Sequence, residues 1–320
     1  MDSATVVIIN HNGMGTLNSM LTSCIESINS LENKNWKVDL IFVDNAPDDG
    51  SVILAKSLLK SANFEWALIP EGKLGVNNAR NAGLNAASGK YIIFLDSDVS
   101  CSKGWANAYL NSFKDHPDIR VFAGRVQIGT TPRNLPRWVD LDGEYSWPSI
   151  IVRCDNGSEE LVTKLTKQGI MGPVGPNMGF RKELFEEVGP FDPSFGLRPG
   201  SLVPGAEAEF FHRISSEEFA YVPNGLVAHP IRESQITKKY YLRRLEGTGR
   251  VLARVQHKQG ILCKQVFGIN RFRIRQMAYA CFKYFCVLAL PNSKRRFYHR
   301  CKIAVALGSI KEDLVIANQK

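Results

Sequence analysis

Three short runs of apolar, mostly β-branched or aromatic residues punctuate the first hundred positions: Thr5-Val-Val-Ile-Ile-Asn10, Val38-Asp-Leu-Ile-Phe-Val43 and Tyr91-Ile-Ile-Phe-Leu95. Such runs lack the period-two alternation of a half-solvated strand, so they suit strands covered on both faces. Between them the periodicity turns helical. Leu17, Met20, Leu21, Cys24, Ile25 and Ile28 recur on one helix face, and Ser51–Ser61 and Gly75–Ala87 read as further helices. A short strand is expected at Ala67–Ile69. Alternating strands and helices of this length predict an α/β fold with a parallel sheet. Two of the long runs are followed at once by an acid, Asp44 and Asp96, and the C-terminal edge of an open α/β sheet is where ligands bind.

From about Pro132 to Gly205 the pattern loosens into loops and short strands. One or two helical turns are expected at Ala208–Ile214. A strand at Phe219–Val222, a Pro-Asn-Gly turn and a further segment Leu226–His229 follow, and everything after Thr237 reads as helix. With 320 residues and 44% hydrophobic content, the chain can bury one large core, alone or with an appendage. The seven Cys are an odd number and never spaced C-x-x-C, which argues against a disulfide framework or a zinc site. No signal-peptide pattern opens the chain, and the expectation is a cytoplasmic protein.

Charge is divided unevenly. Residues 237–320 carry 19 Lys and Arg against 3 Asp and Glu, whereas residues 1–236 carry 21 against 28. A basic tail on an acidic body points to an anionic partner. Met277–Leu290 is mostly apolar but short and interrupted by Lys283, so a membrane span is not expected. Basic residues flanking apolar and aromatic ones suit a helix lying on an anionic membrane surface. The expected contact runs through residues 237–310, peripheral on the cytoplasmic face. Nucleic acid is not an expected partner, because the body carries no nucleic-acid motif.

The chemistry centres on Asp96-Ser97-Asp98, directly after the Tyr91–Leu95 run. Two carboxylates flanking a small residue at a strand end can reach one divalent cation, and Mg²⁺ and Mn²⁺ share such hard oxygen ligands with phosphate oxygens. The same tripeptide can also be a solvated acidic turn.

Five ordered segments make the chain resemble the family 2 glycosyltransferases over about residues 4–232. Val6-Val-Ile-Ile-Asn-His-Asn12 looks like the family's opening strand, whose end, here Asn10 and Asn12, meets the nucleotide. Phe42-Val-Asp-Asn-Ala-Pro-Asp-Asp-Gly-Ser51 is similar to V-D-[DN]-x-S-x-D-G-S, in which Asp44 would contact the base. Gly75-Val-Asn-Asn-Ala-Arg-Asn-Ala-Gly83 matches G-x-x-x-A-R-N-x-G and implies a place for Arg80 near the donor. Tyr91–Asp98 matches the metal-binding segment. Gly175-Pro-Asn-Met-Gly-Phe-Arg181 with Phe185-Glu-Glu-Val-Gly-Pro-Phe-Asp192 resembles the acceptor-side signature, implying an acceptor-wall role for Asn177.

The resemblance implies the A-type glycosyltransferase fold, a Rossmann-like, mostly parallel sheet flanked by helices, here with a basic helical C-terminal extension. It divides the chain into a catalytic domain over 1–236 (a nucleotide-binding half, 1–130, and an acceptor-side half, 131–236) and a helical region over 237–320. It further implies transfer of a sugar, with inversion, from a nucleotide-diphosphate donor to a saccharide or lipid-linked acceptor in polysaccharide or glycolipid assembly. A divalent cation, Mn or Mg, would be held by Asp96 and Asp98, with His229 as a third ligand.

Inverting transfer needs a carboxylate to take the acceptor hydroxyl proton. Gly205-Ala-Glu-Ala-Glu-Phe-Phe-His-Arg213 looks like the family's G-[ED]-[DE]-x-E-F-x-x-R, which puts Glu207 in the base position. Asp is more usual there, and Ala206 fills a slot that is often acidic. The other frame makes Glu209 the base, although Glu209 at a helix start is also explained by the helix dipole. A nucleotidyltransferase of related fold and a catalytically silent sugar-nucleotide-binding module stay open as alternatives. Asn10-His-Asn-Gly-Met-Gly15 lacks the Arg and Lys of the former's opening loop. A dinucleotide-binding reading fails because Asn18 stands where the third Gly belongs.

Overall fold

The computed structural model describes residues 2–32, 35–45, 49–148, 150–196, 204–261 and 264–319. Ala46–Asp48 of the second motif lie outside the described residues. The chain forms two compact units. The first comprises Met1–Thr130, Val152–Ser194 and Glu209–Pro230, and the second Thr131–Ile151, Phe195–Ala208 and Ile231–Lys320. The second unit therefore gathers two stretches from inside the 131–236 half, besides the helical tail.

The first unit opens with β1 (Asp2–Asn10), α1 (Met14–Asn29), β2 (Trp36–Asp44), α2 (Ser51–Leu59), β3 (Glu65–Pro70), α3 (Val76–Ala86) and β4 (Tyr91–Asp96). Every residue of β1 from Ala4 to Asn10 is buried, as expected for a strand sandwiched between helical layers. The helical periodicity of α1 is real: Leu17, Met20, Leu21, Cys24, Ile25 and Ile28 are all buried. β3, β2, β1 and β4 lie side by side and parallel. Register then decides which residues meet at the strand ends. Asn10 pairs with Asp44, and Ile9 pairs with Asp96.

The other half of this unit adds β5 (Ser100–Cys101), α4 (Trp105–Asp115), β6 (Val121–Ile128), β7 (Leu161–Lys164), β8 (Asn177–Arg181), α5 (Glu183–Val188), α6 (Ala208–Arg213, whose first residue belongs to the second unit) and β9 (Glu218–His229). The strands continue the sheet in the order β4-β8-β6-β9-β5, with β7 beside β9. β8 runs antiparallel to both β4 and β6. The Pro223-Asn-Gly225 signal does not end a strand. Val222 pairs with Gly124 while Val227 pairs with Val126, so the extra residues are absorbed as a bulge within one long β9. Phe210 of α6 packs its ring against Phe185, Phe191 and Phe180 at 5.0, 4.6 and 5.6 Å, which closes the core over this side of the sheet.

The second unit is built on α7 (Lys238–Lys258), a hairpin of β10 (Gln265–Val266) and β11 (Ile269–Asn270), α8 (Arg271–Val287) and α9 (Ser293–Ala317). The hairpin interrupts what the sequence reads as continuous helix. α7 and α9 cross backbone to backbone. A Cβ on Gly249 would fall 1.9 Å from the Val305 carbonyl oxygen, and one on Gly308 1.9 Å from that of Glu246. Much of the tail's basic charge is used here. Arg250 and Arg254 reach Glu312 at 3.4 and 2.7 Å, Arg273 meets Asp313 at 3.0 Å, and Lys294 meets Asp140 at 3.0 Å. Trp138 packs against Tyr241 and Phe297.

Candidate active site

In the first unit, the C-terminal edge of β2, β1 and β4 carries Asp44, Asn10 and Asp96 on adjacent strands. Asn10 is fully buried. Its Nδ2 donates to Asp44 Oδ1 at 3.0 Å and to Ser51 Oγ at 2.8 Å, so it orients Asp44 and ties the start of α2 to the strand ends. Gly13 sits so close that a Cβ there would fall 2.1 Å from Asn10 Oδ1, and the first turn of α1 is held against the segment after β4 by a Thr16 Oγ1 hydrogen bond to the Ser97 carbonyl at 3.0 Å. Asn12 is exposed with φ +53°, a left-handed conformation that Asn tolerates better than most residues.

Arg80 on α3 is 1% exposed. Its Nη2 lies 3.9 Å from Asp96 Oδ1, its Nη1 donates to Asn77 Oδ1 at 3.3 Å, and its guanidinium stands over the Phe191 ring at 5.6 Å. It therefore grips the first carboxylate of the Asp-Ser-Asp segment from the protein side. The neighbouring asparagines of the same motif pin the Phe191-Asp192 loop. Asn77 donates to the Asp192 carbonyl at 2.9 Å, and Asn81 exchanges two hydrogen bonds with the Phe191 backbone.

Asp98 and His229 come together from the two sides of the sheet edge. His229 Nε2 lies 3.7 Å from Asp98 Oδ1, and the His229 side chain is nearly buried at the end of β9. Among the described residues, no three His, Cys, Asp or Glu side chains form a ready cluster for a metal ion. The chain's own contribution there is one carboxylate beside one imidazole, with Asp96 two residues away.

Asn177 corrects an expectation. It is fully buried, and both ends of its amide are engaged: Oδ1 accepts from Trp105 Nε1 and Tyr109 OH at 3.0 Å each, while Nδ2 donates to the carbonyls of Arg125 at 3.0 Å and Gly225 at 2.7 Å. An amide has two donors and one two-lone-pair acceptor, so no capacity is left for an acceptor. It is a strut between α4, β6 and β9, not a wall. Asn177→Ala should orphan several buried groups and cost about 3 kcal/mol or more. A denaturant midpoint measures this; an unchanged midpoint with a raised acceptor KM would restore the acceptor-wall role.

Glu209 is buried and paired with Arg213 at 3.1 Å, one helical turn on. Arg213 in turn donates to the carbonyls of Val188, Gly189 and Pro190. Glu209 thus anchors α6 to the loop after α5. Glu207 lies in the second unit, half-buried, just before α6. Arg244 of α7 faces it within that unit. Burial lowers the affinity of the Arg244 guanidinium for its proton, against the opposing charge of Glu207. Its Nε and Nη1 are buried without a hydrogen-bond partner among the described residues. In the sequence Arg244 does not stand out from the Lys- and Arg-rich tail around it. The structural role of Asn45 was not apparent there either. Its side chain donates to the carbonyls of Glu71 and Lys73 and accepts from Gly75 N, fixing the loop into α3, and its place beside Asp44 in the second motif was the available signal.

The family model for Glycosyl transferase family 2 matches residues 5–189, more than half of the chain. The chain belongs to that family. Among curated members, the glycosyltransferase AglE of Haloferax volcanii is 22% identical over 229 residues, covering 69% of this chain and 66% of its own. The glucosyl-dolichyl phosphate glucuronosyltransferase of the same organism is 24% identical over 168 residues, covering 50% of this chain and 49% of its own. The chain thus spans about half to two thirds of those two relatives. Among solved structures, the mannosyltransferase PcManGT from Pyrobaculum calidifontis, in complex with GDP-Man and Mn²⁺, aligns over 96% of this chain and 86% of its own at 13% identity and TM-score 0.56. S. aureus TarS 1-349 in complex with UDP-GlcNAc aligns over 98% and 91% at 15% identity and TM-score 0.51. Family 2 membership and these likenesses establish the A-type glycosyltransferase fold.

Proposed function

We propose that this glycosyltransferase moves a sugar, with inversion, from a nucleotide-diphosphate donor to the hydroxyl of a saccharide or lipid-linked acceptor, in the assembly of a polysaccharide or glycolipid. The observation that carries the reading is the register of β2, β1 and β4, which lines up Asp44, Asn10 and Asp96 on one edge beside the Asp98–His229 pair. In this reading Asp44 accepts from the base, oriented by Asn10, and Asn12 presents polar groups at the nucleotide's edge. Arg80 acts through Asp96, whose carboxylate it holds in place.

Asp98 and His229 are the side chains that would hold Mn²⁺ or Mg²⁺, with Asp96 reaching through water; a carboxylate and an imidazole suit such an ion, and donor phosphate oxygens suit the rest of its shell. When bound there, the ion supplies charge neutralisation to the departing diphosphate. That PcManGT binds GDP-Man with Mn²⁺ and TarS binds UDP-GlcNAc supports this class of donor and cation. Glu207 takes the proton of the acceptor hydroxyl as its oxygen bonds to the anomeric carbon; the bond from that carbon to the diphosphate breaks on the opposite face, and the nucleotide diphosphate leaves. The buried Glu209–Arg213 pair favours Glu207 for this role.

The test is release of nucleoside diphosphate from a panel of nucleotide sugars, with Mn²⁺ and with chelator. Turnover of one donor that falls with chelator is the expected result. Turnover of none would favour the silent module, and release of inorganic diphosphate from a nucleoside triphosphate would favour nucleotidyl transfer.

A further inference from the structure

α8 rests on the rest of its unit through a narrow stripe of Arg273, Ala280 and Val287. The opposite face presents Phe272, Ile274, Tyr279, Phe282, Phe285 and Leu288 to solvent, with Phe285 74% exposed. Beyond Arg275, the exposed residues of this helix are Gln276 and then apolar ones only. Soluble surfaces rarely expose so continuous an aromatic patch without a partner. The adjoining β10–β11 hairpin extends it. At its tip Phe267 is 94% exposed and adopts φ +50°, beside Gly268 at φ +79°. Such a turn favours Asn, Asp or Gly at both central positions, so an aromatic ring there bears a conformational cost with no packing return within the unit.

The charge carried by this segment of the chain is of one sign. Between Glu246 and Glu312 the chain has no Asp or Glu and fourteen Lys and Arg. Lys264, Arg271 and Arg275 are exposed at the N-terminal end of the patch, and Lys283 lies at its edge, its Nζ 5.4 Å from the Tyr279 ring. A cavity of about 340 Å³ under Phe282 and Cys286 is bordered by Lys283, Arg295 and His299, with Glu144 and Tyr145 also lining it. Burial holds the His299 imidazole below its ordinary value, and Arg295, Lys283 and Lys302 press the same way.

We propose that the exposed face of α8, with Phe267 at the hairpin tip, seats on an anionic lipid bilayer: aromatic rings enter the acyl boundary while Lys264, Arg271, Arg275 and Lys283 meet the headgroup phosphates. The helix lies in the plane of the surface, because among the described residues no helix is long and apolar enough to cross a membrane. A second copy of the chain is a poor occupant, since it would bring two like-charged rims together. Of the whole basic tail, α8 and the hairpin are the contact; α7 and α9 spend Arg250, Arg254 and Lys294 on internal acids. The proposal is independent of which sugar is moved.

The test is sedimentation of the full chain with vesicles of phosphatidylcholine, alone or with about a third phosphatidylglycerol, without nucleotide sugar. Binding to the anionic vesicles, lost at high salt, is expected. Arg271→Gln with Arg275→Gln should weaken it about thirtyfold, at roughly fivefold per charge. Phe282→Glu with Phe285→Glu should weaken it at least about tenfold. Phe267→Ser, at an exposed turn where folding is not at risk, should weaken it with an unchanged melting temperature. Equal binding to neutral vesicles, or full retention by the Phe267→Ser and Arg variants, would overturn the proposal. So would a dimer in sedimentation velocity that Phe282→Glu with Phe285→Glu abolishes.

Discussion

Glu207→Gln is expected to lower glycosyl transfer by roughly 10²–10⁴-fold, the range typical of a positioned general base, while donor affinity stays within about twofold. The substitution keeps shape and removes only the ability to take a proton. It leaves Gly205 with φ +79° and Ala206 buried as before, so the turn into α6 is preserved. Glu209→Gln predicts a different signature. Its carboxylate is buried against Arg213, which also holds the carbonyls after α5, so the neutral variant loses stability before it loses chemistry. Single-turnover transfer, titration of nucleoside diphosphate and a melting curve on both variants separate the two. If Glu209→Gln folds as the parent and loses transfer while Glu207→Gln retains it, the base is Glu209.

The edge formed by the ends of β2, β1 and β4 was readable because its signals are local. A strand buried on both faces needs an unbroken apolar run, and the polar residue that ends the run falls at the sheet edge, as Asn10, Asp44 and Asp96 do. What register adds is the pairing of those ends, which no single run encodes. The harder parts were those in which one residue type serves two opposite purposes. Asn177 stands in a motif that implies an acceptor contact, yet its environment of Trp105, Tyr109 and two carbonyls comes from three other elements. Arg80 on a helix surface pattern becomes a buried partner of Asp96 only once α3 packs against the sheet. Pro223 and Gly225 read as a turn because their local preference is real; the bulge opposite Gly124 and Val126 satisfies it without ending β9. The grouping of Thr131–Ile151 and Phe195–Ala208 with the C-terminal helices rests on tertiary packing such as Trp138 on Tyr241 and Phe297, which has no short-range signature.

Asp98→Ala is expected to reduce turnover of the preferred nucleotide sugar by about 10³-fold, since a cation neutralising a departing diphosphate is worth several kcal/mol at the transition state. The fold should tolerate the change. Asp98 lies in the segment after β4, its side chain is partly solvated, and it faces His229 Nε2 at 3.7 Å. Asp96→Ala is the instructive contrast. It would remove the carboxylate beside the buried guanidinium of Arg80, which keeps Asn77 and the Phe191 ring, so it should lower the melting temperature besides activity. His229→Ala should raise the Mn²⁺ concentration needed for half-maximal rate, because an imidazole ligand is lost while the carboxylate stays. Rates measured across a Mn²⁺ titration, with melting curves for each variant, distinguish these effects. Should Asp98→Ala turn over at the parental rate with the same Mn²⁺ dependence, the acidic segment after Leu95 would have no part in drawing off the nucleotide, and the edge formed by Asp44 and Asn10 would have to act without it.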